Sequence, residues 1–380
     1  MSICPPLEGI WRYRLLSPAQ TATDMRKSAL AQFRQLCCLG LGGPAVMPGL
    51  LAATHQLISS ESNAFFWSDA RGGLAGFLPE YAIPEVVDSV LGEFEGLIDR
   101  TLPISFGETM HHGRPVGNLL PLFDRKFYLG PVYNLIYRPY DLHHAIDVVV
   151  REREGGMGLG ALVVGRSRRQ PEFSVTERVE LQCLVPYLAH ALHPRNGPAK
   201  MDFIDSGDCG LVILSRSAKL VHASARAREI LQLAAARGGA RDAAQASALR
   251  SKTLQSVYER LVRIFQEGDA DPPVVEQRTP AGRFVYRAHW LDPEKTGDGA
   301  LVGVIVQHQE PASLVMLRRM HAVGLSAKQK EVGLLLAQDQ SFEAIAATLH
   351  ISVATAKDYA QRIYRKASVH SKDELIRALR

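Results

Sequence analysis

Apolar positions along the chain change period several times, and each change marks an expected element. Over residues 25–38 they recur at three and four residues, with Leu30, Phe33, Leu36 and Cys37 on one stripe, which predicts a helix. Residues 40–44 interrupt it, and a second helix is expected over 47–58. Short apolar or alternating runs bounded by glycine and proline follow, so 64–68, 74–77, 145–151 and 160–165 read as strands. Glycine-rich 155–160 reads as a hairpin turn, without a lysine to hold phosphate. Ser174 or Thr176 caps a long helix reaching Leu192, which Pro186 should bend.

Residues 193–200, HPRNGPAK, have proline, glycine and charge but no apolar period, as a linker does. Beyond them come strands at 210–214 and 219–223, helices at 224–235 and 254–265, and strands at 274–278, 283–290 and 300–308. Residues 237–251, rich in glycine and alanine, read as a flexible insertion. The connector 311–324 carries Leu314, Val315, Leu317 and Met320 as a helical stripe, suited to pairing with a second copy or to packing within one chain.

The segment 325–380 has the most specific pattern. Ser326 caps a helix with Glu331, Val332, Leu335 and Leu336, and Ser341 caps another with Ile345, Ala346 and Leu349. After a turn at Ile351-Ser352 a third helix runs over 353–367. It turns Ala356, Ala360, Ile363 and Tyr364 inward and leaves Thr355, Lys357, Asp358, Gln361, Arg362 and Arg365 on its polar side. A short helix, a tight turn and a longer basic helix is the geometry that lays a recognition helix in a DNA major groove.

This segment resembles the LuxR/FixJ-type (GerE) helix-turn-helix. Leu325-Ser326-Ala327, Glu331-Val332, Leu336-Ala337-Gln338, Ile345-Ala346, Leu349, Ile351-Ser352, Thr355, Lys357, Ile363, Arg365-Lys366, Val369, Ser371 and Glu374-Leu375 keep one register without a gap. Asp339 stands where a glycine is usual, Ala356 where a valine is, Tyr359 where a histidine is and Ala367 where a leucine packs. The two alanines should thin the core.

The candidate DNA-binding set is Ser352, Thr355, Lys357, Asp358, Gln361, Arg362, Arg365 and Lys366. Lys357, Arg362, Arg365 and Lys366 suit phosphate contacts, which supply affinity and salt dependence. The resemblance implies that Lys357, Asp358 and Gln361 reach base edges. Asp358 repels phosphate but can accept a hydrogen bond from cytosine N4. Nine basic residues against six acidic ones give 325–380 a net charge of +3, most of the chain's +5.

Tyr133-Asn134, Arg138-Pro139, His143-His144, Leu159-Gly160, Gly165-Arg166, Glu172-Phe173-Ser174 and Leu184-Val185-Pro186-Tyr187-Leu188 look similar to the GAF-like input region of many LuxR-type regulators. For a ligand pocket there, Phe66, Trp67, Tyr133 and Tyr137 offer aromatic walls, and Asn134, Arg138 and His143 offer polar groups. CGLVILSRSAKLVHASARAREIL resembles the start of a PAS-like domain. The expected fold is α+β and multidomain. After an amino-terminal segment 1–24 come a GAF-like α/β sensor (25–193), a linker (194–200), a PAS-like α+β domain (201–310), a connector helix (311–324) and an all-α LuxR-type helix-turn-helix (325–380).

A chain of 380 residues has room for two or three cores. At 46% hydrophobic and 22% charged it has ordinary globular composition, and no apolar run approaches the ~20 residues of a membrane span. The start lacks a signal-peptide pattern, which places the protein in the cytoplasm. Five cysteines show no metal-ligand spacing, and His111-His112 and His143-His144 lack carboxylate or cysteine partners, so neither metal nor cofactor is expected. No nucleophile elbow, phosphate loop or zinc-ligand helix is present, against an enzyme. The sequence therefore reads as a ligand-responsive transcriptional regulator. Its expected partners are a double-stranded DNA operator, a second copy in a homodimer, an unidentified effector and, as a further candidate, RNA polymerase. The alternative is an interaction protein that sequesters another regulator without binding duplex DNA.

Overall fold

The computed structural model describes residues 18–80, 106–112, 117–118, 125–130, 133–151, 156–193, 202–235, 243–267, 271–279, 281–291 and 301–380. Helices Pro18–Cys37 (α1) and Gly43–Leu57 (α2) precede strands Ser62–Ser68 (β1) and Leu74–Pro79 (β2). Short helices Phe106–His112 (α3) and Arg125–Leu129 (α4), strand Gly117–Asn118 (β3) and a π-turn at Tyr133–Tyr137 lead to strands Leu142–Arg151 (β4) and Gly158–Ser167 (β5), then helix Val175–Leu192 (α5). The antiparallel sheet has the order β2-β1-β5-β4-β3.

Alternation along the strands sends successive side chains to opposite faces. Phe65 and Trp67 of β1, Ile146, Val148 and Val150 of β4, and Leu162 and Val164 of β5 share one core with Phe33, Met47, Leu50, Leu51, Leu181, Leu184 and Leu188 of α1, α2 and α5. On the other face Val149 and Ala161 pack with Met110 of α3. Arg166 is buried beneath the start of α5. It donates to the Ser59 carbonyl at 2.7 Å, pairs with Glu177 and stacks 4.0 Å over Phe173. Glu177 also closes a capping box with Ser174, so the buried cation and the helix start stabilise each other.

A second antiparallel sheet has the order β7-β6-β10-β9-β8, from Phe203–Leu214 (β6), Leu220–Ala223 (β7), Val274–Thr279 (β8), Gly282–Leu291 (β9) and Leu301–Pro311 (β10). Its inner face, including Val212, Leu214, Phe284, Tyr286, Val302 and Val304, is covered by helices Ala225–Ala235 (α6) and Ala243–Glu267 (α7). Gly210 lets α6 approach closely, because a Cβ there would lie 2.4 Å from the Ala227 Cα.

Several expectations change: α1 begins at Pro18 and not at residue 25, and β6 at Phe203 and not at residue 210. The helix expected from residue 47 begins at Gly43, because Pro44 falls in its first turn, where the missing N–H costs nothing. Residues 243–251, expected in a flexible insertion, are the first part of the 25-residue α7. Their alanines, glutamine and arginine are strong helix formers once Leu254, Val257 and Leu261 dock the helix. The linker at 194–200 and residue 155 of the 155–160 turn lie outside the described residues, and residues 158–160 of that turn belong to β5.

The connector forms helix Ala312–Ala322 (α8), buried on two sides. Leu314 and Leu317 belong to the core of the first sheet, while Ala312, Met316 and Met320 belong to the carboxy-terminal core. Arg318 anchors α8 to β10 through Glu310, with contacts of 3.1 and 2.6 Å. Further ties join the units: Gln35 Nε2 donates to the Ala327 carbonyl at 2.8 Å, and Arg380 pairs with Asp202.

Candidate nucleic-acid interface

Four helices close the chain: Ala327–Ala337 (α9), Phe342–Leu349 (α10), Val353–Lys366 (α11) and Lys372–Leu379 (α12). Each begins at a serine whose side chain accepts from a backbone N–H in the first turn: Ser326, Ser341, Ser352 and Ser371. Their core joins Val332, Leu336, Ile345, Ala356, Ala360, Ile363, Leu375 and Leu379 with Met316 and Met320 of α8. The flexible methionines fill volume in the core that Ala356 and Ala360 share. Gly333 faces this contact, since a Cβ there would sit 2.6 Å from the Met320 sulfur.

The turn between α10 and α11 brings the polar side of α11 to the surface. Ser352 and Thr355 serve the helix start: the Thr355 N–H donates to Ser352 Oγ at 3.0 Å and the two hydroxyls lie 2.7 Å apart. Lys357 sits over the Phe342 ring with its ammonium 5.9 Å from the centroid. Asp358, Gln361, Arg362 and Arg365 are exposed and line one open depression. Within it Arg362 is held by Asp358, one turn earlier.

Lys366, exposed like its neighbours, also has partners within the chain. Its ammonium donates to the Gly324 carbonyl at 2.9 Å and to Gln329 Oε1 at 3.3 Å, and Gln329 is the residue that closes the capping box with Ser326. The lysine therefore ties the end of the recognition helix to the joint between α8 and α9. At that joint the buried Lys330 lies 3.1 Å from His321 Nδ1. Burial lowers the Lys330 pKa; burial and then the Lys330 charge lower that of His321.

Asp339 has φ +64°, the left-handed conformation for which glycine is usual, and Lys372 pairs with its carboxylate. Tyr359 and Ala367 pack partly buried against the core.

The candidate ligand residues do not share one surface. Phe66 stacks on Phe77 with centroids 5.6 Å apart and lies opposite Ala161, on the face away from α1, α2 and α5. Trp67, its neighbour in β1, is buried in the helix-side core, with its ring 5.2 Å from Phe65 in an edge contact. Trp67 therefore faces the opposite side of the sheet from Phe66, because a strand sends adjacent side chains to opposite faces. Tyr133 and Tyr137 gather with Phe127 at 5.8 and 5.6 Å, and Tyr133 Oη lies 3.4 Å from His143 Nδ1. Asn134 donates to the Gly130 and Tyr128 carbonyls and accepts from Arg138 at 3.1 Å, so these two residues shape the turn.

Asp147, which sequence reasoning passed over, is buried on the same face as Val149 and Ala161. A lone carboxylate in the run IDVVV was the available signal. Burial, and then the Asp147 charge, push the Tyr137 hydroxyl up to about 12. Burial, and then His144 and Arg168, lower the pKa of His143.

Among the described residues, no group of three or more histidine, cysteine or acidic side chains is placed to hold a metal ion, and no helix is long and apolar enough to cross a membrane.

Residues 323–379 match the GerE family, bacterial regulatory proteins of the luxR family. They form a LuxR-type helix-turn-helix, the mark of a DNA-binding regulator. No curated protein matches the sequence. Among solved structures the chain has distant similarity to the VqmA dimer of Vibrio cholerae, described as a LuxR-type receptor (16% identity over 44% of this chain and 80% of that one, TM-score 0.16). It is likewise distantly similar to the sensor region of a sensor histidine kinase (13%, 66% and 84%, TM-score 0.19). A third is the E. coli DhaR(N)–DhaL complex (11%, 76% and 90%, TM-score 0.23). Scores this low define no shared overall fold.

Proposed function

We propose that the chain is a ligand-responsive transcriptional regulator that binds a DNA operator as a homodimer in the cytoplasm. The observation that carries this reading is the exposed face of helix 353–366, where Gln361, Arg362 and Arg365 stand together on a LuxR-type domain. Arg365 and Lys357 supply phosphate contacts, and Gln361 reads a base edge. A homodimer presents two such helices to successive major grooves on one side of the duplex.

The first sheet, residues 25–193, is the GAF-like input. Its effector lies against the face that carries Phe66, Tyr133, Tyr137 and His143, with Asn134 and Arg138 setting the wall. After the linker 194–200, residues 201–310 form the PAS-like relay, and 311–324 connect it to the DNA-binding residues 325–380. Effector binding changes operator affinity through a coupling of typically ~1–3 kcal/mol. RNA polymerase is the partner through which a bound dimer acts on transcription, and no step requires an enzymatic activity of this chain.

The test is to incubate the purified full chain with fragmented genomic DNA, sequence what is retained and titrate the best fragment with salt. Two half-sites about one helical turn apart, with affinity falling steeply as salt rises, are expected. Absence of enrichment, together with capture of another regulator, would support the sequestering alternative instead.

A further inference from the structure

Among the described residues lining the depression on the recognition helix, Asp358 is the one acidic side chain. An isolated carboxylate there would weaken every duplex contact, so its partner decides what it does. Arg362 Nε donates to Asp358 Oδ1 at 3.1 Å, and Nη2 lies 2.9 Å from Oδ2. Both carboxylate oxygens are therefore engaged by the side of the guanidinium. Of its five N–H groups this pairing uses two. The end-on edge, with one N–H from each terminal nitrogen, stays open, and that edge matches the N7 and O6 acceptors of guanine. The pair is about half exposed, 53% for Arg362 and 50% for Asp358, so the open edge reaches solvent beside Gln361 and Arg365.

We propose that Asp358 is a positioning residue that holds Arg362 ready to recognise a guanine in the operator half-site, an inference that rests on the DNA-binding reading. Holding a long, flexible side chain in its bound conformation before contact removes an ordering cost from recognition. It also neutralises the carboxylate. An exposed pair four residues apart adds little to helix stability, so its role shows in base preference and not in melting.

The experiment is selection from a randomised duplex library with the full-length protein, followed by sequencing, for wild type, D358N, D358A, R362A and R362K. Wild type is expected to fix a guanine in each half-site. R362A and R362K should lose that guanine, R362K while keeping affinity for nonspecific duplex. D358A and D358N should lower the preference at the same base pair by about tenfold, leave the other positions unchanged, and hold or tighten nonspecific binding. The proposal is overturned if the Asp358 variants alter a different base pair, or if they alter none while R362A abolishes the guanine. A wild type that selects no motif brings down the DNA-binding reading and this one together, whereas a clear motif with unmatched positions brings down this one alone.

Discussion

Four helices of the carboxy-terminal unit end in the same way, and only one ends on glycine. At the ends of α8, α9, α10 and α11 the residues Gly324, Asp339, His350 and Ser368 have φ of +74°, +64°, +54° and +55°. Behind each, the next N–H reaches back across the last turn: Leu325 to Met320, Gln340 to Leu335, Ile351 to Ala346 and Val369 to Tyr364, at 2.9 to 3.2 Å. Ser368 is exposed, so Ser368→Gly changes little besides the backbone. A left-handed residue with a Cβ costs roughly 1–2 kcal/mol, and the greater freedom of glycine in the unfolded chain takes back about 0.4–1 kcal/mol. The net expectation is a gain of about 0.5–1 kcal/mol for Ser368→Gly. Gly324→Ala is the mirror experiment. No atom lies within 4 Å of an added Cβ there, so its loss of similar size isolates the backbone effect. Hydrogen exchange of recognition-helix amides reads both, with about two- to fivefold slower exchange for S368G and correspondingly faster exchange for G324A. If both variants exchange faster, or S368G is unchanged, handedness at these helix ends is not what limits the stability of the unit.

The remaining predictions concern charge and packing. Arg365→Ala should weaken all duplexes alike and reduce the slope of log affinity against log salt by about 0.9. Lys366→Met should leave that slope nearly unchanged and lower the unfolding midpoint, since its ammonium serves the α8–α9 joint. Because His321 is held below its ordinary 6.5, the unfolded chain takes up a proton that the folded one does not. The His321 contribution to stability should thus be level above about pH 6.5 and fall below it. Urea titrations across pH should show Lys330→Met flattening that fall, because the neighbouring positive charge is gone. Gly210→Ala should cost about 1–3 kcal/mol or more in urea unfolding, since the new Cβ meets the backbone of α6 and not a movable side chain.

Much of the fold was legible because burial follows period. The recognition helix was readable from Ala356, Ala360 and Ile363 falling inward at helical spacing, and the cap serines from their place before each apolar run. The two sheets were readable as strands, but their helix layers were not, because nothing local says which face a helix covers. The opposite facing of Phe66 and Trp67 was legible too, since the two are adjacent in a strand and must part. Lys366 was beyond local reading. Its acceptor at Gly324 is 42 residues away, and only tertiary packing makes a surface lysine into a tie. The two-sided burial of α8 was half legible, since Leu314, Val315, Leu317 and Met320 cover more of the circumference than one neighbour needs.

That helix sets the character of any response to a signal. Leu314 is 6% exposed and Leu317 is 2% exposed against the first sheet, while Met316 and Met320 are sealed into the opposite core. Pulling the recognition unit away must wet the two leucines, at roughly 3–6 kcal/mol, or strip the methionines from the unit they complete. A small displacement already breaks most of that contact, so the cost comes early in the movement. α8 is therefore packed as a latch between the two cores. An effector that opens it must favour the released form by about a hundredfold to ten-thousandfold in affinity, and weaker ligands would occupy their site in silence.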